Sequence, residues 1–173
     1  MVTLARDGVA ANDRRRRMLV VAVAGAALDW ASKSAAVVAI DDDPISIGTA
    51  VDLRVSRNPG IAFGMATQLP AGVVLGATIL LTIGLVVLAV RGELPSAIGS
   101  GLIIGGAIGN VGDRLIGGTV VDFIDLSWWP SFNLADLLLT FGVAVSFLAS
   151  LRPPSVVSVA SDDSSALDDT IGP

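Results

Sequence analysis

The chain alternates long apolar runs with short polar connections, and four of these runs have the length of a membrane-spanning helix. About 20 apolar residues in helical conformation cross a bilayer core. The predicted spans cover about residues 18–40, 69–90, 94–112 and 134–151, of which the last is only just long enough. The pattern predicts an all-α polytopic membrane protein with four transmembrane helices.

Basic residues predict the orientation of these helices, because short loops rich in Lys and Arg stay in the cytoplasm. Arg14 to Arg17 precede the first span, Arg91 lies between the second and third, and Arg152 follows the fourth. With four alternating spans these positions share one side of the membrane. We therefore expect both termini to be cytoplasmic and the connections 41–68 and 113–133 to face outward.

Two polar segments flank the helical domain, which covers residues 18–151. We expect residues 1–17 to form a cytoplasmic N-terminal segment. Residues 152–173 begin with two prolines and continue as a Ser- and Asp-rich sequence, which predicts a disordered acidic cytoplasmic tail without a catalytic role.

The first outer connection contains a pattern of its own. Residues 50–57, AVDLRVSR, alternate apolar and polar positions, which is typical of a half-buried strand. The NPG sequence at 58–60 predicts a turn, after which the apolar residues 61–65 return toward the membrane. We expect a small extracytoplasmic β-sheet that forms a cradle on the four helices.

The third span carries Gly101, Gly105 and Gly109 four residues apart, with Gly106 beside them. Small residues at this spacing allow helices in lipid to approach closely. The spacing therefore predicts a face that packs against a neighbouring helix.

Composition restricts the chemistry that the chain can perform. The 173 residues are 53% hydrophobic and 16% charged, which is too apolar for a soluble globule of this size. The chain contains no cysteine and no histidine, so thiolate nucleophiles, disulfides, Ser-His triads and histidine metal sites are excluded. Aspartate and the single glutamate, Glu93, must supply any acid or base, and the net charge of −5 says little about partners.

Several polar residues lie in or beside the predicted spans, where an ionisable group needs a partner or a function. Asp29 and Lys33 are four residues apart and therefore neighbours on one helical face. They form either a self-neutralising pair or part of the support for a polar site between helices. Asn110, Asp113 and Arg114 cluster if the third helix continues for one more turn. Arg114 would then neutralise a carboxylate and anchor the loop, and a structural network is the favoured role for all three.

Two aspartates lie in contrasting surroundings in the segment VVDFIDLSWWPSFNLAD, residues 120–136. Asp122 has apolar neighbours, which raise the pKa of a carboxyl group. Asp136 follows Asn133, a good N-cap, so it either closes a capping box or is held ionised by the helix N-terminus for chemistry. An acid and a base separated in this way are the machinery of an aspartic protease. Asp125 is interpreted as a solvated loop acid.

Two other classes of function remain open on the residues alone. A proton-coupled transporter or small channel would use Asp29, Asp122 and Asp136 as relay carboxylates. Its weakness is that two of these acids lie at one membrane face with no partner in the inner half. A scaffold protein of the membrane would leave Asp122 and Asp136 without a reason to be paired.

Four ordered motifs closely resemble those of signal peptidase II, the bacterial lipoprotein signal peptidase family. The motifs are LDWASK (28–33), RNPGIAFG (57–64), GGAIGNVGDRLIGGTVVDFID (105–125) and FNLAD (132–136), within a resemblance that covers about residues 18–151. The resemblance implies an intramembrane aspartic endopeptidase of the bacterial cell membrane, with its active site near the extracytoplasmic face. It would cut prolipoproteins before the diacylglyceryl-modified cysteine and release the signal peptide.

The same resemblance implies roles for individual residues. Asp122 and Asp136 match the catalytic pair. The positions that match site-lining or supporting residues of the family are Asn58, Asn110, Arg114, Asn133, Asp29 and Asp113, with Lys33 in a less defined role. The implied partners are diacylglyceryl-prolipoproteins and membrane lipids, without nucleic acid, metal or cofactor, and the protein is expected to be a monomer.

Overall fold

A computed structural model describes residues 2–40, 43–60 and 69–151, with side chains from residue 8 onward. The predicted return of residues 61–65 to the membrane and the predicted tail 152–173 lie outside the described residues.

Each predicted span lies largely within a helix: α1 (Val2–Ala39), α2 (Ala71–Arg91), α3 (Ala97–Gly117) and α4 (Leu134–Ser150). Helix α1 begins long before the apolar run, so the polar N-terminal segment is helical as well. Helix α3 begins at the N-cap Ser96, whose side chain accepts a hydrogen bond from the amide of Gly99. It ends at Gly118, which has a left-handed φ of 72° that favours glycine.

Two of the described helices are long and apolar enough to cross a membrane. They are Gly8–Ala39, with a mean hydropathy of 1.3, and Ala71–Arg91, with a mean hydropathy of 2.8. Helix α4 is apolar but has 17 residues, fewer than the length required here. Large hydrophobic side chains such as Leu80 and Phe147 are exposed on the helices, as expected of a lipid-facing surface. The four-span arrangement stays a prediction.

Helix α3 packs between α1 and α4, and its glycines make this packing possible. A Cβ atom on Gly101 would lie 2.7 Å from the carbonyl oxygen of Met18, and one on Gly105 would lie 2.8 Å from that of Ala22. On another face of α3, a Cβ on Gly106 would lie 2.5 Å from a backbone oxygen of α4. The glycine spacing therefore forms the helix-packing face that the sequence predicts.

A four-stranded antiparallel sheet lies at one end of the helices, in the order β1-β2-β3-β4. The strands are β1 (Ile45–Ile47), β2 (Val51–Asn58), β3 (Val120–Leu126) and β4 (Trp129–Phe132). The predicted strand at 50–57 is confirmed as β2, and the prediction of a small sheet is confirmed with it.

Strands β1, β3 and β4 were not predicted from the sequence, and β3 carries both Asp122 and Asp125. Asp122 pairs with Ser56 of β2, and the register shifts between Leu53 and Ser56. Asp122 is 2% exposed, whereas Asp125 forms an ion pair with Arg54 and keeps 18% of its side chain exposed. The interpretation of Asp125 as a solvated loop acid was therefore wrong, because strand pairing holds it beside an arginine.

Candidate active site

A cavity of about 330 Å³ lies where the sheet meets the helices. Asp122 and Asp136 both line it, together with Asn58, Asn110 and Arg114. The opposite wall belongs to α2 and is mainly apolar, with the lining residues Ala77, Thr78, Leu81, Thr82 and Leu85. Two carboxyl groups thus share a space that has one polar wall and one apolar wall.

Two amide side chains hold Asp122. Its Oδ1 accepts a hydrogen bond of 2.6 Å from Asn133 Nδ2, and its Oδ2 accepts one of 3.0 Å from Asn58 Nδ2. The pKa of Asp122 is raised to about 6, mainly by burial and to a smaller extent by the nearby charge of Asp136, while the two amide donors and the charge of Lys33 oppose the shift. The apolar sequence around Asp122 predicted this direction.

Asp136 uses its two oxygens for different purposes. Its Oδ2 accepts a hydrogen bond of 3.3 Å from the backbone amide of Asn133, and the Asn133 side chain accepts one of 3.0 Å from the amide of Asp136. These bonds form the capping box of α4. The other oxygen, Oδ1, accepts a hydrogen bond of 3.0 Å from Asn110 Nδ2. Capping and a place at the cavity, which the sequence presented as alternatives, are therefore compatible.

Asn110 and Asn133 connect the two carboxyl groups. Asn133 Nδ2, which contacts Asp122, also donates to Asn110 Oδ1 at 3.3 Å, and Asn110 in turn donates to Asp136. Asn133 is completely buried, and Asn110 is 8% exposed. The orientation of each amide is thus set by its neighbours, and so is the placement of the carboxyl groups.

A second polar cluster lies directly behind this pair and centres on Lys33. Lys33 Nζ lies 2.7 Å from Asp29 Oδ2 and 2.9 Å from Asp113 Oδ2, and it donates to Asn110 Oδ1 at 3.1 Å. Asp29 also accepts a hydrogen bond of 2.8 Å from the backbone amide of Ala135, at the start of α4. The predicted pair of Asp29 and Lys33 is confirmed, and it ties α1 to α3 and α4.

Arg114 anchors the turn after β2. Its Nη2 donates to the carbonyl oxygen of Gly60, and its Nη1 donates to that of Asn110 at 3.2 Å. None of the ion pairs among the described residues involves Arg114, but its charge interacts with the nearby charges of Asp122, Asp136 and Asp113. The neutralisation of a carboxylate by Arg114 therefore stays a prediction, while the predicted anchoring of the loop is confirmed at Gly60.

All eight residues singled out as site positions in the sequence come together here, and Asp125 stays outside the group. The α2 wall is the part that the sequence did not reveal. Thr78 and Thr82 donate hydrogen bonds of 2.8 Å to the carbonyl oxygens of Val74 and Thr78, so their hydroxyl groups are satisfied within α2. Two threonines four apart in an otherwise apolar helix were the available signal for this wall.

Comparisons with known proteins agree on one family. A sequence model described as signal peptidase (SPase) II matches residues 21–152. A lipoprotein signal peptidase of Rhodococcus jostii (strain RHA1) is 40% identical over 155 residues, which is 79% of this chain and 74% of that protein. One of Moorella thermoacetica is 42% identical over 112 residues, 62% of this chain and 73% of that protein.

Two solved structures of bacterial membrane enzymes have a similar fold. A bacterial membrane enzyme solved by the in meso method at 2.3 Å resolution superposes with a TM-score of 0.68 and 29% identity, over 78% of this chain and 87% of that one. A second such structure, at 1.9 Å, gives a TM-score of 0.67 over 79% of this chain and 94% of that one.

Proposed function

Because the chain belongs to the signal peptidase II family, we propose that it is an aspartic endopeptidase that cleaves within the membrane. Its relatives are lipoprotein signal peptidases, so the activity is proteolysis in lipoprotein processing. The bond that is cut is the peptide bond before the diacylglyceryl-modified cysteine of a prolipoprotein, and the released product is the signal peptide.

The catalytic residues in this proposal are Asp122 and Asp136. One observation carries it: the two carboxyl groups line the same cavity and are held by amide donors, while none of the ion pairs among the described residues involves either of them. Amide hydrogen bonds fix a carboxyl group without neutralising it, so the pair can share a proton. Such a pair needs no metal or histidine.

The reaction requires one carboxyl group in each protonation state. Asp122, whose pKa is raised by burial, is the member that holds the proton and donates a hydrogen bond to the substrate carbonyl. Asp136, at the N-terminus of α4, is the ionised member that takes a proton from the attacking water. The two groups titrate as a pair, so each protonation step belongs to both.

The other polar residues support this pair. Asn58, Asn110 and Asn133 donate hydrogen bonds to the carboxyl groups and keep them at the cavity. Arg114 holds the end of β2 through Gly60. Behind them, the ion pairs of Lys33 with Asp29 and Asp113 fix α3 and α1 below the start of α4.

The position of the pair suits a lipid-modified substrate. In the four-span arrangement with both termini in the cytoplasm, the sheet and the pair lie near the outer edge of the hydrocarbon. A diacylglyceryl group would stay among the acyl tails, because each buried methylene contributes about 0.8 kcal/mol. The lipid would thus position the scissile bond, and the apolar α2 wall suits the flanking residues of the substrate.

A cleavage assay tests the proposal directly. The purified full chain in detergent is incubated with a prolipoprotein that has or lacks the diacylglyceryl group, and the mobility shift on a gel measures cleavage. The variants are Asp122→Asn and Asp136→Asn, with Asp125→Asn as the matched control on the same strand. We expect cleavage of the lipidated substrate alone, with the rate reduced at least about 1,000-fold by each of the first two changes.

Three outcomes would contradict this expectation. Cleavage that survives in both Asp122→Asn and Asp136→Asn would remove these residues from the chemistry. Equal cleavage of lipidated and unmodified substrate would show that the lipid does not position the bond. A folded wild-type protein that cleaves neither substrate would favour the transporter interpretation, which proton flux in liposomes would then test.

A further inference from the structure

A second cavity, of about 550 Å³, lies between the N-terminal part of α1 and the C-terminal end of α2. Asn12, Arg14 and Arg15 line it from α1, and Arg91 lines it from α2. The cavity that holds Asp122 and Asp136 is lined by different residues of α2, and none of its described lining residues belongs to α1. The two cavities are therefore separate sites.

Arg14 lines this cavity and also offsets the partial negative charge at the end of α2. Its Nη2 donates to the carbonyl oxygen of Leu94 and its Nη1 donates to that of Ala89 at 3.4 Å. These carbonyl groups lie at the end of α2 and in the turn that follows, where the helix dipole places partial negative charge. Arg14 neutralises that charge, so the C-terminal end of α2 does not oppose an anion in the cavity.

The remaining positive groups at the cavity are available to a ligand. The side chains of Asn12 and Arg15 make no hydrogen bond or ion pair within the part of the chain that the structure describes. Arg91 contacts Glu93 only at 4.0 Å, and both side chains are more than half exposed. Among the residues whose side chains the structure describes, none that lines the cavity is acidic, and Asp13 is exposed on α1 outside it.

The cavity lies at the level where both helices change from apolar to charged sequence. On α1, the arginines 14–17 directly precede the apolar run that begins at Met18. On α2, Arg91 directly follows the apolar residues that end at Val90. This is the depth at which the phosphate groups of phospholipids lie, and basic pockets between helices at this depth bind anionic headgroups.

We propose that this cavity binds the phosphate headgroup of an anionic phospholipid through Arg15, Arg91 and Asn12. The acyl chains of that lipid would run along the exposed apolar surface of α1 and α2. The site is separate from the aspartate pair. A protein that does not bind the lipid here could still be a protease, and a protein without protease activity could still bind the lipid.

Lipid binding to the purified full chain tests this site. Native mass spectrometry in detergent counts the molecules of phosphatidylglycerol that remain bound, with phosphatidylcholine as the neutral lipid and inorganic phosphate as the free anion. We expect Arg15→Gln and Arg91→Gln each to weaken phosphatidylglycerol binding about fivefold, which corresponds to about 1 kcal/mol per charge. Glu93→Gln is expected to strengthen it.

Arg16→Gln is the matched control, because Arg16 is exposed in the same basic run and does not line the cavity. Equal losses in Arg16→Gln and Arg15→Gln would show diffuse attraction and overturn the site. Equal binding of phosphatidylcholine would overturn it as well, as would displacement of the lipid by millimolar inorganic phosphate. If phosphatidylglycerol binds only after the four aspartates of residues 152–173 are changed to asparagine, the acidic segment and not a lipid occupies the cavity, and the proposal is overturned.

Discussion

Two groups of carboxylates lie side by side in this protein, and they are stabilised in opposite ways. Asp29 and Asp113 lie within ion-pair distance of Lys33, at 2.7 and 2.9 Å. Asp122 and Asp136 contact the amide groups of asparagines, and no ion pair among the described residues includes them. In the proposed mechanism, the contacts of an acid, more than its burial, therefore distinguish a structural role from a chemical one.

The difference has a physical basis. A lysine within ion-pair distance offsets part of the cost of burying a carboxylate and ties together the helices that carry the two groups. A neutral amide satisfies the lone pairs but leaves the cost of desolvating the charge in place, so protonation remains accessible. The rear cluster around Lys33 can hold helices together, whereas the front pair can move a proton. Asn110 contacts Lys33 and Asp136 and so joins the two groups.

The largest effect on stability should come from removing the charge of the rear cluster. Lys33→Met removes the cation that Asp29 and Asp113 share and leaves the buried Asp29 without its ion-pair partner, and breaking a buried ion pair in this way costs about 3–5 kcal/mol. We expect a strong fall in the thermal unfolding midpoint, measured in detergent by tryptophan fluorescence. The exposed Arg91→Gln is the control, and an equally small change in both variants would show that Lys33 does not stabilise the fold.

Asp122 of the front pair should make the stability of the protein depend on pH. The pKa of Asp122 is about 6 in the folded protein and 3.8 as a reference value, so folding favours the protonated form. The resulting stabilisation is complete below about pH 4 and is lost as the pH rises through about 6. The full change is on the order of 3 kcal/mol.

The variant Asp122→Asn isolates this contribution, because all other titrating groups remain. We expect the wild type to lose stability relative to Asp122→Asn between about pH 4 and pH 7, measured from unfolding midpoints at matched pH values. A difference between the two proteins that stays constant over this range would mean that Asp122 titrates near its reference value.

A smaller effect should separate the two functions of Asn133, which caps α4 and donates to Asp122. Serine preserves an N-cap but lacks the amide group, whereas alanine preserves neither. We expect Asn133→Ser to be more stable than Asn133→Ala by about 1 kcal/mol. Both should cleave lipidated substrate at least about tenfold more slowly than the wild type, as the loss of one donor at the acid predicts. Normal cleavage by Asn133→Ser would show that capping is its only contribution.

The helical parts of the fold and site were predictable, because their signals are local. The apolar runs located all four helices, and the FNLAD sequence predicted the cap of α4 and the place of Asp136 on it. The i, i+3, i+4 spacing of Asn110, Asp113 and Arg114 correctly required that α3 continue beyond residue 112.

The rest depends on contacts between distant residues. The segment VVDFIDL has no regular alternation, and β3 forms because it pairs with β2, which is more than 60 residues earlier in the chain. The ion pair of Asp113 is with Lys33, on another helix. Sequence spacing shows which side chains share a helical face, but it does not show which neighbouring helix that face meets.

The smallest effect on stability should come from the ion pair of Arg54 and Asp125. This pair is the exposed counterpart of the buried ion pairs around Lys33. Asp125 is three residues from Asp122 on the same strand, yet its cation is an arginine whose side chain is 57% exposed. Exposed ion pairs contribute at most about 1 kcal/mol and weaken with salt. Arg54→Gln should therefore lower the unfolding midpoint slightly at low salt, and by less at high salt, without changing the cleavage of lipidated substrate. A loss of cleavage in Arg54→Gln with an unchanged midpoint would mean that the exposed end of β3 contacts the substrate. Asp125 would then belong with Asp122 among the carboxylates that serve the reaction, and not among those that only stabilise the fold.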